Sequence, residues 1–413
     1  TCILKGCGSI EHATKGKEIH SEIVDRGLLS ENTLLGNSLV DMYAKCGEFE
    51  IAKKVHEELP FRDIISWNAL ISGYSDWGHS REALNCFEQM QYEGQTPDVV
   101  TFTCILKACG NMRTIQEGKE VHNVISQRGL LEKDGMLGIS LVDMYAKCGL
   151  LEKAQQVHDE LPFRDTNSWK ALTSGYVQNQ RNSELLKCYD VILCEGLFPD
   201  VVTLVSILKG CGNLQDLEKG KQIHGEIINR GLLKRNVVIG NALVDMYAKC
   251  GHLEKAREVF YGLPEHNLVS WNALIAGYTQ QGQRKEALDL FESMKSEGYS
   301  PDAVTFTCIL KSCGSLGAID KGKHIHDEII HRDFLENDVV LATALVDMYA
   351  KCGVLAKAQE VLYGTPFRNE ISWFALISAY NQYQQGYEVL KCFKQMQIEG
   401  FFPDADTLVC ILK

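Results

Sequence analysis

Histidine and glutamate recur in a pattern that could hold a catalytic zinc ion. The motif His-x-Glu begins at His20, His224 and His326, and zinc cytidine deaminases use it for a metal ligand and for the glutamate that transfers protons. That chemistry also needs a Pro-Cys-x-x-Cys pair, and the sequence contains no Cys-x-x-Cys at all. After His122 the glutamate is replaced by Val124. We therefore predict no catalytic residue, no metal site and no cofactor.

The 16 cysteines suggest a disulfide or metal framework until their positions are compared. Two series advance in steps of 102 residues: Cys7, Cys109, Cys211 and Cys313, and Cys46, Cys148, Cys250 and Cys352. Zinc ligands usually come in closely spaced pairs, which are missing here. We interpret the second series as small apolar residues before a turn glycine, kept as reduced thiols.

The same period runs through the whole chain. Asp-Met-Tyr-Ala-Lys-Cys-Gly, Ser-Trp and Pro-Asp each occur four times at intervals of 102 residues, with no insertion. The tryptophans of the second motif are Trp67, Trp169, Trp271 and Trp373, and we assign them to an inter-helix core rather than to stacking with bases. Such regularity indicates a repeat architecture.

Each period contains a long, a short and a standard segment of 36, 31 and 35 residues. In 268–302, Val269, Leu274 and Tyr278 show helical spacing, and Ala287 to Met294 form a second helical pattern after Gln281-Gly282. We predict two helices per segment, stacked as a single solenoid over 1–413. The predicted segments are 1–32 (partial long), 33–63 (short), 64–98 (standard), 99–134 (long), 135–165 (short), 166–200 (standard), 201–236 (long), 237–267 (short), 268–302 (standard), 303–338 (long), 339–369 (short), 370–404 (standard) and 405–413 (truncated long).

Composition restricts the function classes. The chain of 413 residues is 45% hydrophobic and 23% charged, which is typical of a folded domain. It has no apolar run long enough to span a membrane. The net charge of −12 argues against a general polyanion binder, so contacts to a nucleic acid would have to be local. The chain begins and ends inside repeated motifs, and we expect it to be a fragment.

The segments closely resemble pentatricopeptide repeats. The likeness is carried by the starting motif 270–275, the second-helix motif 286–294, the terminal Pro301-Asp302, and the Val-Asp-Met-Tyr-Ala-Lys-Cys-Gly blocks. The alternation of lengths and the Gly220–His224 motif resemble the plant subclass whose triplets are called P, L and S. The resemblance implies an all-α fold, a right-handed α-solenoid superhelix. A peptide-binding tetratricopeptide scaffold is the rival, but its constant 34-residue period is missing.

The resemblance also implies the recognition of single-stranded RNA, one base per repeat. In the family the fifth and last residues of a repeat face the base, the second residue wedges beside it, and the RNA runs 5′ to 3′ from the N-terminus. An ionised aspartate only accepts hydrogen bonds and complements the ring N–H of uracil or guanine, whereas an asparagine NH₂ suits the bare ring nitrogen of cytosine or adenine. A threonine at the fifth residue leaves room for a purine, and an asparagine reaches a pyrimidine.

These rules give a target of 5′-U-U-(G)-n-n-(Y)-C-U-(G)-A-n, starting at segment 33–63. The pairs are Asn37 with Asp63 for U, Asn68 with Asp98 for U, Thr103 with Asp134 for G, Val205 with Asn236 for a pyrimidine, Asn241 with Asn267 for C, Asn272 with Asp302 for U, Thr307 with Asp338 for G, and Thr343 with Asn369 for A. Long segments follow the family code poorly, and Ile139, Lys170 and Phe374 leave their segments unassigned. The alternative is that these polar residues are ordinary caps and turn residues.

Lysines recur near the end of the first helix of each short segment. They are Lys45, Lys147, Lys249 and Lys351. They could contact phosphate once in every three repeats, or they could simply be basic residues favoured at a helix C-terminus by the macrodipole.

By resemblance, the chain is expected to be the RNA-recognition part of a plant organellar C-to-U editing factor, and not itself an enzyme. Its partners would be organellar RNA and editing accessory proteins or a deaminase acting in trans; no membrane or small-molecule partner is expected. A mitochondrial location is favoured over a plastid one. The alternatives are the recognition part of a larger zinc cytidine deaminase and an RNA stability or splicing factor.

Overall fold

The computed structural model describes residues 2–9, 13–29, 32–131, 134–234, 236–335, 338–366 and 368–412. These residues divide into two compact units, Thr1–Ile207 and Leu208–Lys413. The prediction of an all-α fold built from tandem helix pairs is confirmed by 25 α-helices in the described ranges. No helix in those ranges is both long enough and apolar enough to cross a membrane.

In the first unit the odd-numbered helix of each pair is the first helix of a segment and the even-numbered helix is the second. The helices are α1 (Cys2–Ser9), α2 (Ala13–Asp25), α3 (Thr33–Lys45), α4 (Phe49–Glu58), α5 (Ile64–Asp76), α6 (Ser80–Tyr92), α7 (Val99–Met112), α8 (Ile115–Gln127), α9 (Gly135–Lys147), α10 (Leu151–Asp159), α11 (Thr166–Gln178) and α12 (Asn182–Cys194). The boundary between the units falls within α13 (Val201–Leu214).

The second unit continues the alternation. Its helices are α14 (Leu217–Asn229), α15 (Val237–Lys249), α16 (Leu253–Tyr261), α17 (Leu268–Gln280), α18 (Arg284–Ser296), α19 (Ala303–Leu316), α20 (Ile319–His331), α21 (Val339–Lys351), α22 (Leu355–Gly364), α23 (Glu370–Gln382), α24 (Gly386–Ile398) and α25 (Ala405–Leu412), with one 3₁₀ turn at Leu232–Lys234.

Within each unit a first helix packs on its own second helix and on the first helix of the next pair, as α17 does on α18 and α19. The core lies along these contacts. In α18 the apolar residues Ala287, Leu288, Phe291 and Met294 are all buried, as the helical pattern predicts. Val269 differs from the other apolar residues of the predicted pattern. It lies in α17 as predicted, but it is 60% exposed and does not share the buried face of Leu274.

Glycines terminate the helices because they accept a left-handed backbone. Gly251 follows α15 with φ +79° and Gly298 follows α18 with φ +87°. Gly277 has a different role, because a Cβ there would lie 2.3 Å from the Cβ of Ala248. The absence of a side chain at Gly277 lets α15 and α17 approach closely.

Candidate nucleic-acid interface

The last residue of each short or standard segment caps the following first helix. The first backbone N–H groups of a helix lack partners within it, so a side-chain oxygen just before the helix is favoured. Asp302 caps α19 by accepting from the N–H of Thr305 at 2.9 Å, and Asn267 caps α17 by accepting from the N–H of Ser270 at 2.9 Å. The alternative interpretation of these residues as helix caps is therefore correct, but capping is not their only contact.

The capping residue also contacts the fifth residue of the segment it ends. The side-chain nitrogen of Asn272 donates to both carboxylate oxygens of Asp302 at 3.0 Å. Asn241 donates to the side-chain oxygen of Asn267 at 3.2 Å. The hydroxyl of Thr343 lies 3.4 Å from the side-chain oxygen of Asn369, while its shorter hydrogen bond, at 2.7 Å, goes to the backbone oxygen of Val339. In the first unit the same contact joins Asn37 to Asp63 and Asn68 to Asp98 at 3.0 to 3.1 Å. The structure thus brings together all five pairs predicted in short and standard segments.

The hydrogen bonds made inside the protein leave one polar atom of each capping side chain available. In Asp302, Oδ1 accepts from the backbone N–H of Thr305 and from Asn272, so Oδ2 retains accepting capacity. In Asn267, Oδ1 accepts from the backbone N–H of Ser270 and from Asn241, so the amide must leave Nδ2 as a donor. Two similar caps therefore present an acceptor in one repeat and a donor in the other.

Long segments arrange the corresponding residues differently. Thr103 and Thr307 donate their hydroxyls to the backbone oxygens of Val99 and Ala303 in their own helices, both at 2.8 Å. Asp134 caps α9 through the N–H of Met136. Asp338 caps α21 through the N–H groups of Val340 and Leu341. Among these described residues, no hydrogen bond joins Thr103 to Asp134 or Thr307 to Asp338, so these two predicted pairs are not brought together.

A row of exposed apolar side chains accompanies the polar pairs. The second residue of a segment is apolar and about half exposed or more at Leu34, Ile65, Val100, Met136, Val202, Val238, Val269, Val304, Val340 and Ile371. Aliphatic side chains at such regular positions on first helices offer non-polar surface for planar groups. Segment 166–200 departs from the row with Asn167.

In the second unit these features border a cavity of about 500 Å³ between α19, α21 and α23. Its walls include the exposed Val340 and Ile371, and its polar lining includes the pair Thr343 and Asn369. In the first unit a smaller cavity of about 340 Å³ is lined by Thr103, Ile139, Asn167 and Lys170. The larger cavity combines non-polar walls with a hydrogen-bonding pair, as a site for a planar polar ring requires.

Comparisons with known proteins agree with this architecture. A pentatricopeptide repeat (PPR) family model matches residues 62–111 and 266–315, and a PPR repeat model matches 37–64, 139–165, 241–268 and 371–401. A mitochondrial pentatricopeptide repeat-containing protein of Arabidopsis thaliana is 32% identical over 414 residues, covering 99% of this chain and 73% of its own length. The chain belongs to the pentatricopeptide repeat family.

Other relatives are longer than this chain. A second Arabidopsis pentatricopeptide repeat-containing protein is 35% identical over 410 residues, and the match covers 99% of this chain but 59% of the relative. A chloroplastic one is 36% identical over 414 residues, and the match covers 50% of its length. The chain therefore spans about half to three-fifths of these two relatives.

Among solved structures, the crystal structure of the pentatricopeptide repeat protein PPR10 from maize is similar to this chain. The TM-score is 0.66 at 19% identity, over 99% of this chain and 64% of that one. A crystal structure of PPR10 in complex with an 18-nt psaJ RNA element aligns with the same TM-score over 96% of this chain and 63% of that one. The likeness shows that the two chains share a fold.

The recurrent lysines of the short pentatricopeptide repeats are not free cations. Lys45, Lys147 and Lys249 each lie 2.8 Å from the aspartate four residues earlier, and Lys351 lies 2.7 Å from Asp347. These lysines remain partly exposed, so a phosphate could still reach them. Each of these lysines is paired with an aspartate carboxylate that offsets its positive charge.

A second lysine series was missed by the sequence reasoning, although it also steps by 102 residues. Lys107, Lys209 and Lys311 lie in the first helices of long repeats. Lys107 is 2.8 Å from Asp76, whereas Lys311 has no carboxylate within ion-pair distance in the described ranges and lines the large cavity. The sequence feature that could have identified them is spacing: Lys107 and Lys311 follow Thr103 and Thr307 by four residues. This spacing places each lysine on the same helix face as its threonine.

The unassigned repeats have other side chains at the fifth residue. Lys170 lies 3.6 Å from Asp200, so an ion pair replaces the Asn–Asp hydrogen bond. Phe374 lines the large cavity, and Ile139 lines the smaller one. Val205 lies in α13, and Asn236 caps α15 through Val238 and Ile239.

The histidines of the His-x-Glu motifs serve the packing of long repeats on short ones. His20, His122, His224 and His326 each hydrogen-bond through Nδ1 to a tyrosine hydroxyl of the next first helix, at 2.8 to 3.0 Å. Burial lowers the pKa of all four histidines, so they are neutral near pH 7. No group of metal-binding side chains is present among the residues that the structure describes.

The four recurrent tryptophans occupy the core, and the cysteines before the turn glycines are half-buried. Trp67, Trp271 and Trp373 are at most 1% exposed and Trp169 is 3% exposed, which confirms their assignment to packing. The cysteines before the turn glycines approach a backbone oxygen of the preceding long repeat, as Cys250 approaches Cys211 with 3.9 Å between Sγ and O. The 15 cysteines from Cys7 to Cys410 are free thiols.

Proposed function

We propose that this chain binds single-stranded RNA in a sequence-dependent way, with one base read by each short or standard repeat that carries a joined polar pair. The observation that carries the proposal is the pairing of the fifth residue with the last residue beside exposed apolar side chains. Non-polar walls suit the faces of a base, and the atom left available on the capping residue suits its hydrogen-bonding edge. The relative PPR10 has been crystallised with an RNA element, which supports the same ligand class here.

The available atom gives each repeat a base preference. A free carboxylate oxygen in Asp63, Asp98 and Asp302 accepts from the ring N–H of uracil, and Nδ2 of Asn267 donates to the bare ring nitrogen of cytosine. Thr343 is shorter than asparagine and leaves room for adenine over Asn369. The proposed target therefore keeps the bases U-U, C-U and A at the five joined pairs. The guanine reading expected for Thr103 with Asp134 and for Thr307 with Asp338 is left out of the proposed target, because no hydrogen bond joins either pair among the described residues.

Phosphate contacts complete the proposal. Lys45, Lys147, Lys249 and Lys351 offer local positive charge once in every three repeats, moderated by their aspartate partners. This arrangement agrees with a net charge of −12, because affinity then depends on local positive charge and not on global attraction.

We further propose that the RNA-binding array follows the P-L-S pattern and serves C-to-U editing in a plant organelle. The triplet of long, short and standard segments supports this assignment. The names of the relatives include both mitochondrial and chloroplastic proteins, so they support an organelle without favouring either one. The test is whether the transcripts recovered with the chain in vivo carry the proposed target upstream of an edited cytidine.

The direct test of RNA reading uses a pool of randomised single-stranded RNA at near-physiological salt. Sequencing of the bound fraction should show enrichment of U-U followed, after four positions, by C-U. Binding without enrichment, weakened strongly by salt, would contradict the proposal and point to a scaffold or a protein-binding array.

A further inference from the structure

Hydroxyl groups at the third residue of the next repeat contact the asparagines proposed to read bases. Thr101 Oγ1 donates to Asn68 Oδ1 at 2.6 Å, Ser270 Oγ to Asn241 Oδ1 at 2.7 Å, and Thr305 Oγ1 to Asn272 Oδ1 at 2.5 Å. Each hydroxyl belongs to a residue that is fully buried. The contact crosses from one repeat to the next, so it is not part of the local helix start.

Among the boundaries that the structure describes, the contact is found only where the fifth residue is an asparagine. The hydroxyl of Ser372 donates to the backbone oxygen of Asn369 at 2.8 Å, in a repeat whose fifth residue is Thr343. Thr203 follows the repeat with Lys170 in that place, and its buried hydroxyl has no partner among the described residues. Capping alone does not require the hydroxyl to turn toward the preceding repeat.

Asn37 provides a natural contrast. The hydroxyl of Ser66 donates to the backbone oxygen of Asp63 at 2.8 Å, and Asn37 Oδ1 is buried with no partner in the part of the chain that the structure describes. The carboxylate of Asp63 still accepts from Asn37 Nδ2, because a carboxylate can only accept. An aspartate partner therefore fixes the amide orientation of the asparagine through one hydrogen bond. Where the hydroxyl is also present, a second hydrogen bond fixes the same orientation.

We propose that Thr101, Ser270 and Thr305 are positioning residues that fix the amide orientation of the base-reading asparagines. This proposal rests on the proposed function. With Oδ1 held by the hydroxyl and one N–H held by the capping residue, the amide can offer an RNA base only its second N–H. The fifth residue then acts as a fixed donor.

A fixed donor selects against adenine on chemical grounds, while the length of the asparagine selects against guanine. Uracil and cytosine both carry a carbonyl oxygen beside N3, which accepts from an N–H. Adenine carries an amino group beside N1, which repels a second donor. The orientation depends most on the hydroxyl at Asn241, because its other partner, Asn267, is a neutral amide at 3.2 Å rather than a carboxylate.

The test is Ser270→Ala in the full chain, with RNA competitors that carry C, U or A at the nucleotide read by Asn241 and Asn267. We expect the preference for C to fall about fivefold, the effect of one lost hydrogen bond. Ser270→Thr, which restores the hydroxyl found at the other two boundaries, should keep the preference. Ser372→Ala is the matched control, because it removes a capping hydroxyl that does not touch the fifth residue; its repeat should keep its own preference for A.

Each result separates the two proposals. No preference for C in the unaltered chain overturns the proposed function and this inference together. A preference that survives Ser270→Ala overturns the positioning role alone, as does an equal loss in the Ser372→Ala repeat, because the hydroxyl would then act only through the cap. Melting temperatures of the variants, followed by circular dichroism, establish that all of them are folded.

Discussion

The boundaries between repeats fall into two kinds that differ at a single backbone angle. Where a short or standard repeat ends, the capping residue is fully extended, with ψ 175° at Asn267 and −177° at Asp302. Where a long repeat ends, ψ is 100° at Asn236 and 93° at Asp338. Both kinds of cap satisfy the helix N-terminus. Only the extended kind also meets the fifth residue of its repeat.

The third residue of the following helix also differs between the two kinds of boundary. After short and standard repeats it is a serine or threonine, and at five of these boundaries its hydroxyl closes a reciprocal capping box. Asp63 is extended, with ψ 173°, without such a box. After long repeats the third residue is Leu35, Leu137, Ile239 or Leu341, which cannot close a box. A residue at the end of a repeat can therefore cap the following helix without contacting the fifth residue of its own repeat.

Among the variants at these boundaries, Asn267→Asp should have the largest effect on base preference. The change replaces the free N–H with a carboxylate oxygen, so the preferred base at this nucleotide should change from C to U. We expect a reversal of about tenfold or more, since a donor is exchanged for an acceptor at a half-enclosed site. Competition between RNAs that differ only at this nucleotide measures the effect, and an unchanged preference would refute the assignment.

Removing a helix cap at each kind of boundary should distinguish the effect of the cap on stability from its effect on base recognition. Asp302→Ala and Asp338→Ala each remove an N-cap and should lower the free energy of unfolding of the affected region by about 1 kcal/mol. Because only Asp302 is joined to its fifth residue, only the first variant should lose a base preference. Thermal melts and RNA competition on the same samples make the comparison. Loss of preference in both variants would mean that the two boundaries do not differ in function.

Long repeats should contribute phosphate contacts more than base contacts. Lys311→Gln removes a lysine that has no carboxylate partner among the described residues, and it should reduce the slope of log K against log salt by about 0.7, the value for one phosphate of a single strand. Lys351→Gln is the control, and its effect should be smaller because Asp347 already offsets its charge. Equal slopes for the two variants would contradict this division.

Acid should weaken the packing around the buried histidines. Burial lowers the pKa of His224 and His326 below 6.5, so the unfolded chain binds protons more readily than the folded chain as pH falls. Stability should be full above pH 6.5 and decrease below it. His56 adds to this trend, because burial lowers its pKa to about 4. Replacing His56 with phenylalanine, which the third short repeat carries at Phe260, should reduce the loss of melting temperature between pH 7 and 5.

Much of this organisation could be predicted from the sequence. The period of 102 residues and the helical patterns are local properties, and they led to the correct fold class and to the buried tryptophans. The resemblance to pentatricopeptide repeats named the residue pairs, and five of these pairs are joined in the structure. The paired state of Lys351 was also visible in its motif, because Asp347 precedes it by the four residues that bring two side chains together on a helix.

Other features depend on tertiary geometry. Val269 has helical spacing with Leu274, but its side chain is exposed while Ser270 and Trp271, in the same turn of α17, are buried. Five residues correspond to about 140° around a helix, so Val269 and Leu274 lie on different faces. Thr307 and Asp338 have the residue types of a reading pair, but Asp338 has ψ 93° and its carboxylate accepts from the N–H groups of Val340 and Leu341. Pattern alone specifies which side chains are available, and the cap geometry determines which of them meet.

The most direct test of the account is a matched exchange at the two kinds of boundary, Asp302→Asn and Asp338→Asn, in one position-resolved RNA-binding assay. Both changes are isosteric and both retain a capping oxygen. The account predicts that Asp302→Asn shifts its nucleotide from U toward C, while Asp338→Asn leaves the preference profile unchanged. Equal shifts at the two nucleotides, or no shift at either, would contradict the claim that base reading depends on the joined pair.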